Sequence, residues 1–206
     1  MQIDLLQFPK IKRELGKRAE AHRVIARRFD REFFDGSRDT GYGGYHYDGR
    51  WAAVALRMKQ YYGLKSGAKV LDVGCAKGFL VHEFRKIGID AKGLDVSRYA
   101  LANAYGEVGK FLMHRGADKI PDDNYSLIIS INTLHNLERN DLCAALKHMQ
   151  QVSLYNYITV DAYETDEQRN RMMAWNLTAK TILHVNDWLM LFDECGYTGD
   201  YDWFMP

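Results

Sequence analysis

The sequence predicts an α/β fold: a mostly parallel, twisted sheet of six to seven strands with helices on both faces. Three observations predict it. Val70-Leu71-Asp72-Val73-Gly74-Cys75-Ala76-Lys77-Gly78-Phe79-Leu80 is an apolar run that ends in an acid, turns through two glycines and opens into an amphipathic segment. Seventeen residues beyond Gly78, Ala91-Lys92-Gly93-Leu94-Asp95-Val96 reads as a second short strand ending in Asp95. Downstream, short apolar runs alternate with helix-like segments, which is the pattern of parallel strands joined by crossover helices.

Element by element, residues 10 to 34 read as one helix, with eight basic residues between Lys10 and Arg28 against the acids Glu14 and Glu20. Gly36 to Trp51 holds five glycines and three tyrosines in sixteen residues. Glycines exclude an ordinary helix there, and the aromatic content argues against disorder. A long, chemically dense loop of this kind is a candidate substrate lid. A helix follows at 51–62, closed by Gly63. Strands are expected at 69–73, 91–95, 110–114, 126–131 and 157–161, with helices at 78–87, 97–105 and 140–150. Asp166 to Trp175 reads as helix, as does Asn186 to Cys195, N-capped by Asn186 and stopped by Gly196. Tyr197 to Phe204 is the expected last strand. Residues 1–62 are read as a helical cap and lid on a core of 63–206, forming one compact domain.

The chain's 206 residues suffice for one full core. Lys plus Arg number 28 and Asp plus Glu 27, so net charge does not indicate a polyanionic partner. No recognised nucleic-acid-binding module is present, and nucleic acid is not the expected partner. The basic segment 10–28 would suit a phosphate-bearing substrate, or simply be a solvated helix face. Cys75, Cys143 and Cys195 are odd in number and lack C-x-x-C spacing. They are expected to be reduced thiols in a cytoplasmic protein, and a zinc site is not expected. No run approaches the roughly 18 apolar residues of a membrane span, and no signal segment is seen.

An acid ahead of the glycines would repel a pyrophosphate but suits a cationic ligand. In this respect Asp72-x-Gly74-x-x-x-Gly78 resembles the first motif of the class I S-adenosylmethionine-dependent methyltransferases, and the resemblance extends over roughly residues 68 to 162. It implies a Rossmann-like methyltransferase fold with S-adenosylmethionine as cofactor and S-adenosylhomocysteine as product. Asp72, Gly74, Cys75, Ala76 and Gly78 would line the methionine end, with Ala76 where the family most often has its middle glycine. Asp95 would bridge the ribose hydroxyls beside Val96, Ala117 and Asp118 would meet the adenine, and Asn132 would end the fourth strand at the cofactor. The family's closing β-hairpin is shortened to one strand here. That leaves an open sheet edge, where a homodimer would form.

Methyl transfer needs an aligned acceptor and, for a hydroxyl, a base. His135, following the fourth strand, is the leading candidate, with Tyr42, Tyr45 and His46 of the lid as alternatives. Tyr42, Tyr45, Tyr47, Arg50, His135 and Asp161 are the candidate substrate residues. Asn132 and Asp161 only partly match a metal-dependent catechol-type site, so no metal is expected. The lid segments resemble bacterial small-molecule methyltransferases of surface-polysaccharide and nucleotide-sugar pathways. The expected acceptor is therefore an oxygen or nitrogen of a small, polar, anionic molecule. RNA or protein methylation and a non-catalytic cofactor-binding subunit are the alternatives. The first lacks the N/D-P-P-Y/F motif, Asn132-Thr133-Leu134-His135 standing in its place.

Overall fold

The computed structural model describes residues 1–9 and 18–205. The expected helix over 10–34 is two short ones, α1 (Glu20–Ala26) and α2 (Arg31–Phe34), and its part over 10–17 lies outside the described residues. The break is at Phe29, whose φ of 51° lies in the left-handed region and cannot continue a helix. Asp30 restarts the chain by accepting the Glu32 N–H at 3.0 Å. α3 (Arg50–Tyr61) follows the lid, and Gly63, at φ 62°, ends it.

The core then alternates: β1 (Lys69–Val73), α4 (Phe79–Lys86), β2 (Asp90–Asp95), α5 (Arg98–Ala102), β3 (Leu112–His114), β4 (Tyr125–Ile131), α6 (Arg139–Val152) and β5 (Ser153–Tyr163). α7 (Asp166–Trp175), β6 (Leu183–His184), α8 (Val185–Glu194) and β7 (Asp200–Phe204) complete it. The strands form one seven-stranded sheet in the order β3-β2-β1-β4-β5, with β6 and β7 both on β5, and every pairing is parallel. α8 is capped by the His184 ring, which accepts the Asn186 N–H at 3.1 Å, and not by Asn186 itself.

Strand residues alternate between two cores, as the two-residue period of a strand requires. Leu71, Val73, Leu94, Ile128 and Val160 join Leu146, Trp188 and Phe192 on the face covered by α6 and α8. Val70, Ala91, Leu127 and Ile129 join Val54, Met58, Leu80 and Phe84 on the face covered by α3 and α4. Asp72 and Asp95 fall in phase with Val70 and Gly93, so both acids point to the α3/α4 face, the one on which the lid lies.

Two expectations need correction here. The outer side of β7 is not open at Tyr201: Ile3 N–H donates to Tyr201 O at 2.9 Å and Tyr201 N–H to Met1 O at 3.0 Å. The first residues thus lie on the edge that had been left for a second copy. The cysteines are not all reduced either: Cys143 of α6 and Cys195 after α8 form a disulfide, and Cys75 alone is free. Side-chain packing of α6 on α8 brings them together across 52 residues, a separation on which spacing patterns are silent. Disulfides are rare in the cytosol, so the cysteines no longer support a cytoplasmic location. Among the described residues no helix is long and apolar enough to cross a membrane.

Replacing Cys143 and Cys195 together by Ser should lower stability by about 2–4 kcal/mol, read as a lower urea midpoint under non-reducing conditions. An unchanged midpoint would mean that the two sulfurs are not bonded in solution.

Candidate active site

The glycine turn after β1 is built by backbone conformation. Gly74 (φ 83°) and Gly78 (φ 77°) take left-handed angles, and so does Ala76 at φ 49°. A left-handed angle is one that glycine adopts freely and alanine rarely does. A Cβ on Gly74 would sit 2.1 Å from Thr133 Oγ1, so this glycine lets the turn touch the loop after β4. Gly78 caps α4.

Asp95 stitches the turn to β2. Its Oδ2 accepts the Ala76 N–H at 2.8 Å and its Oδ1 the Ser97 N–H at 2.7 Å. A carboxylate offers about four lone-pair sites, so the backbone donors do not fill it. Asp72, 5% exposed, differs: among the described residues no hydrogen bond reaches its carboxylate. Burial, and then the charge of Asp95, push its carboxyl up to about 7. Burial likewise raises Asp95, while its backbone donors hold it down. A buried acid lacking a donor is costly unless a ligand supplies one, and two acids side by side favour a cationic ligand.

The lid lies directly on this turn. Phe34, Ala76 and Ala100 form a small apolar cluster with Phe29, Phe33, Tyr45 and Tyr99 around it. Tyr45 stacks on Phe79, the first residue of α4, with ring centroids 4.9 Å apart, and Tyr42 lies over Tyr45 at 4.6 Å. Tyr45 is part-exposed, and its hydroxyl lies toward the motif acids. Burial first, then Tyr42, Asp72 and Asp95, push that hydroxyl well up, so the phenol shares the environment of the acid pair. Beyond Tyr45 a cleft of about 320 Å³ is lined by His46, Tyr47, Lys77, Asn103 and Tyr105.

Not every expected residue converges here. The Tyr47 hydroxyl donates to Glu83 and its ring stacks on Tyr105, which places it in the lateral cleft. Exposed His46 lies over Gly44 and lines the same cleft. Arg50 is engaged by Asp48 and lies over Phe8, so it does not join the lid tyrosines. Val96 is exposed, and Asp118, also exposed, folds back over Gly116 near it; Ala117 is buried beneath. Cys75 is buried against Gly93, where burial first and then Asp72 and Asp95 push the thiol well up. Asn132, at φ 50°, ends β4, and its Oδ1 accepts the Thr159 hydroxyl at 2.9 Å.

His135 and Asp161 form a second, separate group. His135 Nδ1 accepts the Asp161 N–H at 3.1 Å, so the proton of the neutral ring is on Nε2. Burial lowers its pKa, with Asp161 opposing. Asn176 donates to Asp161 Oδ2 and accepts the Thr178 and Ala179 N–H groups, holding the loop that follows α7. Sequence reading passed over Asn176, and also Asp35, Lys77, Ser97 and Tyr99. Each of the five has at least one partner that is distant in the chain.

The basic segment is partly structural. Arg23 donates to Asn176 O at 3.3 Å and Met173 O at 2.9 Å, and Arg18 to Trp175 O, fastening α1 to the end of α7. Arg28, Arg31 and Arg38 are exposed.

A parallel α/β sheet with a glycine turn after its first strand and paired acids at the ends of the first two is the architecture of a nucleotide-type cofactor enzyme. Residues 44–194 match the family described as methyltransferase domain, and the chain belongs to that family. Its fold is the Rossmann-like fold of the S-adenosylmethionine-dependent methyltransferases. Among solved structures it is similar to the Haemonchus contortus phosphoethanolamine N-methyltransferase 2, determined with phosphomonomethylethanolamine and S-adenosylhomocysteine (TM-score 0.59, 14% identity, 84% of this chain and 44% of that one). It is also similar to magnesium protoporphyrin IX methyltransferase of Synechocystis PCC 6803, with bound S-adenosylhomocysteine (TM-score 0.57, 14% identity, 71% of each chain). A third is a putative methyltransferase from an antibiotic biosynthesis pathway of Anabaena variabilis (TM-score 0.55, 16% identity), of which this chain spans 60% while 69% of this chain is covered. No curated protein sequence matches significantly.

Two outcomes are expected. Ala76→Gly should leave stability unchanged or raise it by up to about 1 kcal/mol, because a left-handed alanine costs about 1–2 kcal/mol and glycine's extra unfolded freedom returns part of that; a loss above that size in urea titration would contradict the strained turn. The ligand-free protein binds a proton at Asp72 more tightly folded than unfolded. Its contribution to stability is therefore full below about pH 4 and is lost as pH rises through about 7. Asp72→Asn should flatten the urea midpoint against pH near 7.

Proposed function

We propose that this protein is an S-adenosylmethionine-dependent methyltransferase that moves the methyl group to an oxygen or nitrogen of a small, polar, anionic acceptor, such as an activated sugar or nucleotide. The observation that carries the cofactor reading is the buried Asp72 carboxylate without a donor, beside Asp95, whose oxygens its backbone donors do not fill. These fit the cofactor: an ammonium for Asp72, a ribose diol for Asp95, and a turn whose glycines leave room for the methionine chain. Val96, Ala117 and Asp118, after β2 and β3, are suited to flank the adenine, and Asn132 ends β4 on the other side of β1. When bound, the cofactor supplies a methyl already activated by a sulfonium.

The chain's own part is alignment and exclusion of water. Tyr42 and Tyr45 cover the turn with their rings, and the phenol of Tyr45 brings a polar group to the acid pair. The lateral cleft, with His46, Tyr47, Lys77 and Asn103 on its walls, supports an acceptor that is small and polar, and the exposed Arg28, Arg31 and Arg38 support one that is anionic. A base role for His135 requires the other ring tautomer, with Nδ1–H directed at Asp161 Oδ1, 3.6 Å away, which would free the Nε2 lone pair. His135→Ala with full turnover would remove that role. In this reading Arg50, held by Asp48, takes no part in binding the acceptor.

Calorimetric titration tests the reading. S-adenosylmethionine and S-adenosylhomocysteine should bind at micromolar concentrations, and NAD should not. Because the bound ammonium favours ionised Asp72, affinity should rise between pH 6 and 8, with proton release seen as a buffer-dependent heat. Asp95→Ala should weaken binding by roughly 1.5–3 kcal/mol per lost hydrogen bond. Absence of binding by both sulfur compounds would overturn the proposal.

A further inference from the structure

Besides its ring contacts, the lid is tied to the cofactor turn through Asp35, a residue the catalytic reading does not use. Asp35, just after α2, accepts from Lys77 Nζ at 2.9 and 2.7 Å, from the Tyr99 hydroxyl at 2.8 Å and from the Tyr45 N–H at 3.0 Å. Those donors fill the four lone-pair sites of a carboxylate. They come from three places: Lys77 from the glycine turn, between Ala76 and Gly78; Tyr99 from α5; and Tyr45 from the lid. The Lys77–Asp35 pair is largely buried, with side chains 10% and 19% exposed. Neither charge can therefore be left alone cheaply.

The segment carrying Asp35 is itself stiff. Tyr42 N–H donates to Phe33 O at 2.9 Å and Gly44 N–H to Phe34 O at 3.1 Å, folding the lid back on α2. Gly41 lies so close to Phe33 that a Cβ would be 1.9 Å from its carbonyl oxygen. The start of the segment is tied separately, because Ser97, whose N–H already serves Asp95, donates its hydroxyl to Phe29 O. Residues 29–45 thus form a rigid flap with Asp35 as its charged attachment.

We propose that Asp35 is a positioning residue: its carboxylate fastens the flap to the glycine turn through Lys77, holds Tyr45 over the acid pair, and so sets how fast a bound cofactor leaves. This rests on the cofactor reading above. In this proposal a bound ligand leaves past Tyr45, and detachment of the flap breaks the Asp35 bonds. Asp35→Asn keeps the size of the side chain and removes the charge that Lys77 needs. Tyr99→Phe removes one donor and leaves the ion pair intact.

The test measures S-adenosylhomocysteine dissociation by stopped-flow fluorescence, together with hydrogen exchange of the ligand-free protein. Asp35→Asn should speed dissociation at least tenfold and Tyr99→Phe two- to threefold. Exchange at the Tyr42, Gly44 and Tyr45 amides should speed up while β4 and β5 keep wild-type protection. Unchanged dissociation in both variants overturns the proposal, and so does faster exchange spread evenly over the sheet, which marks a merely structural residue. If Asp35→Asn does not fold, Tyr99→Phe decides by the same readings. Failure of wild-type protein to bind S-adenosylhomocysteine overturns the cofactor reading and the release role with it. Binding by wild type with no change in the variants overturns only the role of Asp35.

Discussion

The site depends on the Asp95 carboxylate, which binds the turn after β1 and the turn after β2 at once. Its two oxygens take the Ala76 and Ser97 N–H groups, while Leu94 O takes those of Gly74 and Cys75 at 2.8 and 3.0 Å. Backbone polar groups at strand ends would otherwise be buried unpaired, at a cost comparable to a lost hydrogen bond each. One side chain at the end of β2 thereby orders the left-handed run through Ala76 and starts α5 through Ser97.

Asp72 stands in contrast a few ångströms of sheet away, on the neighbouring strand. The fold satisfies Asp95 and leaves Asp72 largely buried and without a donor, which raises its proton affinity until a cation arrives. Such an arrangement spends stability on recognition, and it is the local inconsistency expected of a functional site. Left-handed Ala76 and Asn132, at the ends of the adjacent strands β1 and β4, belong to the same pattern.

Above the acids, the glycine- and tyrosine-rich loop read as a lid is an aromatic flap. Gly36 and Gly41 serve close backbone approach to Glu32 and Phe33, so here glycine produces tightness and not mobility. Asp35 then converts a stiff flap into one with a single charged attachment. At the opposite side of the sheet, the Cys143–Cys195 bond ties α6 to α8, and Met1 and Ile3 cover β7 at Tyr201, features that bear on stability and assembly more than on the cleft.

The sequence by itself determined the parallel α/β sheet, the glycine turn at 74–78 and the two acids, because each is a matter of local periodicity or of neighbours along the chain. A strand that ends in an acid and turns through glycines into a helix can be read within a dozen residues. Only the tertiary structure decided that Asp35 meets Lys77 and Tyr99, 42 and 64 residues away. It alone turned Arg50 to Asp48, sank His135 against Asp161, and joined two cysteines expected to be free. The physical reason is the same in each case. The direction of a polar side chain is set by whichever donor or acceptor packing brings to it, and packing couples residues that are remote in sequence.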